Sequence, residues 1–469
     1  MIEFNTRASW LALTASLTLS ACAGAPESSP GVESAQQGLD TAANSAVAQH
    51  REPPIHFTRE QWARLKQLSP LPCLPPDPTN SVADDPEARN LGQALFFDKA
   101  FAGPLQVDSD LGLTGESGKV ACASCHSGTY FDDRRSAPRT VSVGTNFHTR
   151  NAPPMVNSSF YKWTNWGGRF SAQWELPIAV VENGVLMNGN RLKIAHRIFD
   201  AYRVEYELVF GPMEPAIGTD SVRFPPAGKP KPAPSATNPT PPDGPWELMT
   251  AEDREVVNRI LVNFGKALAA YTRALVSRES AFDRFVAGHR QALSRQAQLG
   301  AQLFVGKAGC VNCHSTSHFS DDQFHNLGVP QTGDHVPASD DGRFKDVPPL
   351  LTSPFNAAGK YSDDASNGQA RLAGLTNPMP DTAKGAFRTP DLRGVAATGP
   401  YMHSGQLATL EDVVEFYDDG GGVPVSGTKD PLLAPLNLTN EEKAAIVEFL
   451  KSLSGEQVHS RLRVDTSAP

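Results

Sequence analysis

A mainly α fold in two halves with long loops is what the sequence predicts, on three observations. Apolar residues recur at helical spacing over residues 250–276, 280–304, 409–417 and 439–453. Long alternating apolar and polar runs, the mark of strands, are missing. Leu-Gly-Gln-Ala-Leu-Phe-Phe (91–97) and Leu-Gly-Ala-Gln-Leu-Phe-Val (299–305) each stand upstream of a Cys-x-x-Cys-His pentapeptide, a weak internal repeat.

Taken in order, the chain opens with Arg7, an apolar run from Trp10 to Leu19, and Leu19-Ser20-Ala21-Cys22. This pattern reads as a lipoprotein signal peptide over 1–21 with Cys22 carrying the lipid; a plain secretory signal is the alternative. The run is shorter than the about 20 residues a membrane-spanning helix needs. Residues 22–56, rich in Ala, Ser, Pro, Gly and Gln, have too few large apolar side chains to fold alone and read as a tether. A first domain is expected over 57–224, with a capped helix at 84–98. The Pro-rich stretch 225–245 is incompatible with a helix or central strand and reads as an insertion. A second domain follows over 246–456. Near its end Thr439 and Glu442 form a capping box and Gly455 a stop. Residues 457–469 are left as a tail.

The balance of 51 acidic against 42 basic residues, net −9, argues against nucleic acid and against a polybasic membrane patch. The length allows roughly three units of about 150 residues by the usual prior; two domains and a leader use it best.

The chemistry lies in Cys122-Ala123-Ser124-Cys125-His126 and Cys310-Val311-Asn312-Cys313-His314. Two thiols one helical turn apart form thioethers to porphyrin vinyl groups, and the following imidazole reaches the iron. A four-cysteine zinc site would leave both histidines unexplained. The reading is two covalently bound c-type haems in two cytochrome c-type domains packed against each other. Four of the six cysteines then hold haem and Cys22 holds lipid, leaving Cys73 as a free structural thiol and no disulfide framework. Haem c and an exported lipoprotein both point to the periplasm, with a lipid anchor in the bacterial, expected outer, membrane.

From about Leu91 to Leu453 the chain resembles the bacterial dihaem cytochrome c peroxidase / MauG superfamily. The landmarks are the two pentapeptides, Arg150-Asn151-Ala152-Pro153, Trp166-Gly-Gly-Arg169, Phe324-His325-Asn326-Leu327-Gly328, Phe387-Arg388-Thr389-Pro390-Asp391-Leu392-Arg393 and Pro400-Tyr401-Met402-His403-Ser404-Gly405. The resemblance implies a Ca²⁺ ion between the haems, held by Asn151, Thr398 and Pro400, an oxygen set suited to that ion. It implies that Trp166 carries electrons or holes between the haems and places His403 in the same region. Fourteen residues after His403, where peroxidases of the family use Met and MauG-type proteins use Tyr, this chain has Tyr417, the expected distal ligand of the second haem; Met402 is the rival. Near the first haem, Ser142-Val143-Gly144-Thr145 replaces the stretch bearing a displaceable distal His, which implies an open iron, with His148 as a nearby alternative ligand. The family's acid/base Glu falls on Leu186. A shorter register through Gln173 and Pro177 puts Asn183 there instead, and Glu182 is the neighbouring carboxylate.

The implied function is a periplasmic oxidoreductase that reduces peroxide, or uses it or oxygen to oxidise a partner, with electron relay through the second haem. Its partner is a small cytochrome c or cupredoxin, or a protein substrate. Because Ala308 stands where MauG-type proteins carry an exit Trp, their substrate and route are not implied. The alternative of a different class is a non-catalytic electron-transfer or redox-sensing dihaem lipoprotein.

Overall fold

A computed structural model describes residues 55–133, 135, 141–231 and 243–469. The signal peptide, nearly all of the tether, Cys22 and residues 232–242 of the insertion lie outside them. Among the described residues the only strand pair is Phe324–His325 against Phe387–Arg388, antiparallel, and helices supply the rest of the framework.

The helix expected at 84–98 is Pro86–Phe97. Asp85 caps it, its carboxylate accepting from the backbone N–H groups of Glu87 and Ala88. It crosses the Ala251–Arg273 helix, itself capped by Thr250, at Gly92. A Cβ there would stand 2.0 Å from the Ala267 carbonyl oxygen. The second half repeats the device. Helix Arg295–Phe304 meets Asn440–Lys451 at Gly300, whose Cβ would stand 1.9 Å from the Ala445 carbonyl oxygen. The Leu-Gly repeat is therefore a paired helix crossing that only glycine permits. The capping box of Thr439 and Glu442 forms as expected.

The helix expected over 280–304 is broken. It divides into Ala281–Val286, a 3-10 turn at Arg290–Ala292, and Arg295–Phe304. Gly288 at φ 111° leaves helical space, and the Ser294 hydroxyl caps a new start by accepting from the Ala297 N–H.

Two apolar cores form, and their division does not follow the expected boundary at 225–245. Leu91, Phe96, Phe101, Trp174, Ile198, Phe264 and Tyr271 belong to the first, so the Ala251–Arg273 helix completes the N-terminal half. The second gathers Phe282, Phe285, Phe304, Phe319 and Phe449 and recruits Leu65 and Leu68 from the beginning of the described chain. Residues 457–469 are not a loose tail. Val458 and Leu462 are buried in the first core, Gln93 Nε2 donates to the Arg461 and Val464 carbonyls, and Tyr271 Oη donates to that of Leu462. Apolar residues in this segment find a cover that sequence position alone does not reveal. Cys73 is not the free thiol expected, for it has an interaction partner, whereas the four pentapeptide cysteines are free. A cysteine count cannot choose pairings.

A buried charge cluster ties the segment around Asn151 to the C-terminal half. Arg150 donates through Nε and Nη2 to both oxygens of Asp340, and through Nη1 to Asp346, each at 2.7 Å. All three side chains are 10% exposed or less. Removing the guanidinium would leave Asp340 buried without its cation and Asp346 with only Arg169, at 4.0 Å, so Arg150→Met is expected to cost about 3–5 kcal/mol of stability. Chemical denaturation of the holoprotein checks this; a midpoint unchanged from the parent would show that the cluster is not what joins these segments.

Candidate active site

Each pentapeptide is locally built to present one imidazole nitrogen. Cys122–Cys125 forms a single helical turn, and Cys310–Asn312 a 3-10 turn. The backbone N–H of His126 donates to the Cys122 carbonyl, and that of His314 to the Cys310 carbonyl. Five residues after each histidine stands a Phe with left-handed backbone, Phe131 at φ 53° and Phe319 at φ 54°. That turn aims its carbonyl at the imidazole: His126 Nδ1 lies 2.8 Å from Phe131 O, and His314 Nδ1 2.6 Å from Phe319 O. A carbonyl only accepts, so Nδ1 carries the proton and Nε2 is left for a metal. Burial holds both imidazoles below their ordinary pKa, in the neutral form that ligates. Burial also pushes the Cys122 and Cys310 thiols up to about 12 and Cys125 up to about 11. These are apolar niches that suit a thioether. The residues present thus fit two covalent haems. Phe131 and Phe319 were missed in the sequence, although Cys-His-Ser-x-x-x-Phe stands in both halves.

A cavity of about 510 Å³ opens over the second pentapeptide. Cys310, Cys313 and His314 line one side, and Val414 and Tyr417 line it from the Leu410–Asp418 helix. The size is that of a cofactor pocket. Burial, followed by the nearby Cys310 and Cys313 sulfurs, pushes the Tyr417 phenol well above its ordinary pKa. Left alone it stays protonated; a cation opposite it is needed to make it a phenolate. Met402, the rival ligand, lines the cavity as well.

The same cavity reaches the segment between the halves. Asn151, Trp166, Thr398, Pro400 and His403 all line it. Trp166 Nε1 donates to the Asn151 carbonyl at 2.7 Å, and its own carbonyl accepts from the Arg388 N–H at 2.8 Å. Asn151 Oδ1 is buried with no hydrogen-bond partner. An orphaned amide oxygen in a cavity that Thr398 and Pro400 also line is a fit for a hard cation, since burying it unpaired is costly. His403 is stacked on Phe387 at 3.8 Å, and burial pushes its pKa down to about 3. Its Nε2 sits near the amides of Gln331 and Gln406, so it is a neutral, packed imidazole.

Around the first pentapeptide, the residues named as distal candidates come together in part. Thr145 N–H donates to the Leu186 carbonyl at 2.9 Å, and Asn146 N–H to that of Val185. The Ser142–Thr145 stretch and Leu186 are therefore one structural unit. His148 receives the Arg150 N–H on Nδ1 at 3.1 Å. Glu182 does not turn toward this unit as a free acid. Both its oxygens are taken by Arg191, at 2.9 and 2.5 Å, and the Arg191 backbone N–H adds a third bond. Sequence reasoning missed that Arg191 partner. Glu175, on the same Glu175–Glu182 helix, is engaged as well, by the Ser171 hydroxyl at 2.5 Å. Gln173 donates to the Ser158 carbonyl, Pro177 lies inside the helix, and Asn183 ends it.

Residues 86–230 match the family model described as di-haem cytochrome c peroxidase. Among curated proteins, the chain is 31% identical over 401 residues to a cytochrome-c peroxidase, IdrP1, of Denitromonas iodatirespirans, covering 84% of this chain and 87% of that one. It is 30% identical over 409 residues to the methylamine utilization protein MauG of Methylorubrum extorquens, covering 85% and 87%. Among solved structures, a MauG-like protein associated with microbial copper homeostasis superposes with a TM-score of 0.55 at 24% identity, over 84% of this chain and 98% of that one. The diheme peroxidase BthA of Burkholderia thailandensis does so at 0.55 and 19%, over 82% and 91%.

Proposed function

The chain belongs to the di-haem cytochrome c peroxidase and MauG family, and from that premise we propose a periplasmic, lipid-anchored oxidoreductase of its MauG-like branch. It is an enzyme of the peroxidase class. The two c-type haems supply the redox chemistry when bound: reaction with peroxide at the first and electron exchange through the second. Cys122, Cys125 and His126 hold the first; Cys310, Cys313, His314 and Tyr417 hold the second. The observation that carries the MauG-like reading is Tyr417 in the same cavity as Cys310, Cys313 and His314.

The remaining work falls to the chain's own side chains. Nδ1–H of each histidine, fixed on a Phe carbonyl, keeps the imidazole in one orientation. Trp166, held by Asn151, passes electrons between the halves. Heterolysis of peroxide needs a group to move a proton between its oxygens. Leu186 cannot, and Glu182 is committed to Arg191, so neither gives this pocket an acid. Such a pocket favours slow turnover, or the use of peroxide to oxidise a protein partner, over rapid peroxide removal fed by a small cytochrome or cupredoxin.

The test is direct. Purified protein is expected to carry two thioether-linked haems by mass and pyridine haemochrome. Ferric EPR is expected to show one open and one His/Tyr site. One haem per chain, or haem extracted by acid acetone, would overturn the assignment.

We place Ca²⁺ at Asn151, Thr398 and Pro400, on the strength of the orphaned Asn151 Oδ1. Because the Asn151 carbonyl also holds Trp166, chelation is expected to slow electron exchange between the halves, and Asn151→Ala to reproduce that effect without chelator. Active, unchelated protein free of calcium by metal analysis would remove the site.

A further inference from the structure

Four of the five tryptophans among the described residues carry a cation on the ring face. Arg290 lies 4.6 Å from the Trp62 ring centroid, Lys266 5.7 Å from that of Trp174, Arg191 4.9 Å from that of Trp246, and Arg343 4.9 Å from that of Trp163. Trp166 has none among the described residues. The contrast is sharpest between Trp163 and Trp166, three positions apart. Trp163 is 5% exposed and also receives Lys162 at 5.6 Å. Arg343 is itself buried, with no carboxylate among the described residues within ion-pair distance. It lies 3.7 Å from the Phe324 ring centroid and points Nη1 at the Gly167 and Gly168 carbonyls, in the turn directly after Trp166.

We propose that Arg343 is a positioning residue of hole transfer: its guanidinium on the face of Trp163 keeps oxidising equivalents on Trp166. A cation over an indole is attracted to its electron-rich face, and that attraction turns to repulsion once the ring loses an electron. Removing an electron from Trp163 is therefore harder than from Trp166. The buried guanidinium is compensated only by two backbone carbonyls and the more distant Asp346 charge, and here it sits against the ring that would otherwise compete. The inference rests on the relay through Trp166 proposed above. In that relay, with hydrogen peroxide as the oxidant, Trp166 gives one electron toward the oxidised first site and takes one back from the second. No bond forms or breaks. The indole proton stays on Nε1, because the Asn151 carbonyl that accepts its hydrogen bond is not a base. Loss of an electron from Trp163 instead strands the hole: a second one-electron oxidation drawn from the same hydrogen peroxide, with addition of water and loss of two protons, hydroxylates that ring, so that indole and H2O2 give hydroxyindole and water.

The experiment is peptide mass mapping of the holoprotein after exposure to hydrogen peroxide, following the fraction of Trp163 that has gained oxygen. Arg343→Gln is expected to raise that fraction roughly ten-fold, the desolvated end of the cation–π range, and Arg343→Lys to leave it near the parent value. Lys162→Gln, at an exposed side chain that folding tolerates, is expected to raise it about two-fold and keeps the test alive if Arg343→Gln fails to fold. No rise in either neutral variant overturns the inference, while loss of exchange between the haems in Trp166→Phe would leave the relay standing. Unchanged exchange in Trp166→Phe removes the relay itself, and this inference with it.

Discussion

Tyr417→Met is expected to raise the reduction potential of the second haem by a few hundred millivolts, within the roughly 0.8 V that axial ligands span. A phenolate is a hard anionic donor that favours the more oxidised iron, whereas a thioether favours the ferrous state. The cavity makes this contrast strong. Tyr417 faces Cys310, Cys313 and His314 in surroundings where the phenol by itself stays protonated, so its ionisation and the bound iron are coupled. The substitution should also end any sharing of oxidising equivalents between the two halves and convert the second site into an electron reservoir of the peroxidase kind. Spectroelectrochemical titration and EPR of both proteins check it. A near-infrared sulfur-to-iron band in the unmodified protein would assign the ligand to Met402, which lines the same cavity. Haem spectra unchanged in Tyr417→Phe would equally overturn the MauG-like reading.

Leu186→Glu is expected to accelerate the reaction with hydrogen peroxide by roughly 10²–10⁴-fold, the usual contribution of a placed general acid–base group. The backbone of Leu186 is pinned to Thr145, in the stretch whose Val143 carbonyl lies 3.5 Å from the Cys125 sulfur, so a carboxylate introduced there joins the segment packed on the first pentapeptide. Its nearest natural rival is locked: Glu182 spends both oxygens on Arg191. Stopped-flow mixing with peroxide measures the rate. A parent rate already equal to that of the variant would mean that some other group moves the proton. Glu182→Gln then decides whether the Arg191 pair opens in the reacting protein.

The haem pentapeptides, the helix starts at Asp85, Thr250 and Thr439, and the Leu-Gly repeat were legible in the sequence because each is a local rule. Spacing along one helical turn places two thiols and an imidazole, a capping side chain satisfies N–H groups two or three residues away, and a repeat is found by matching two stretches of one chain. Family landmarks carried Tyr417, Asn151 and Trp166 to positions that share one cavity in the fold. What only the tertiary structure decided depends on partners distant in sequence. Glu182 is an ion-paired residue because Arg191 folds back on it, and Cys73 has a partner and is not a free thiol. Residues 457–469 are packed because the first core has room for Val458 and Leu462, and the Ala251–Arg273 helix belongs to that core, although it follows the Pro-rich insertion. The Arg150 cluster and the Arg343 cation over Trp163 are likewise invisible in the chain, since Asp340, Asp346 and Arg343 come from nearly two hundred residues away. Burial and charge pairing are properties of three-dimensional neighbours, and a sequence records neighbours only along the chain.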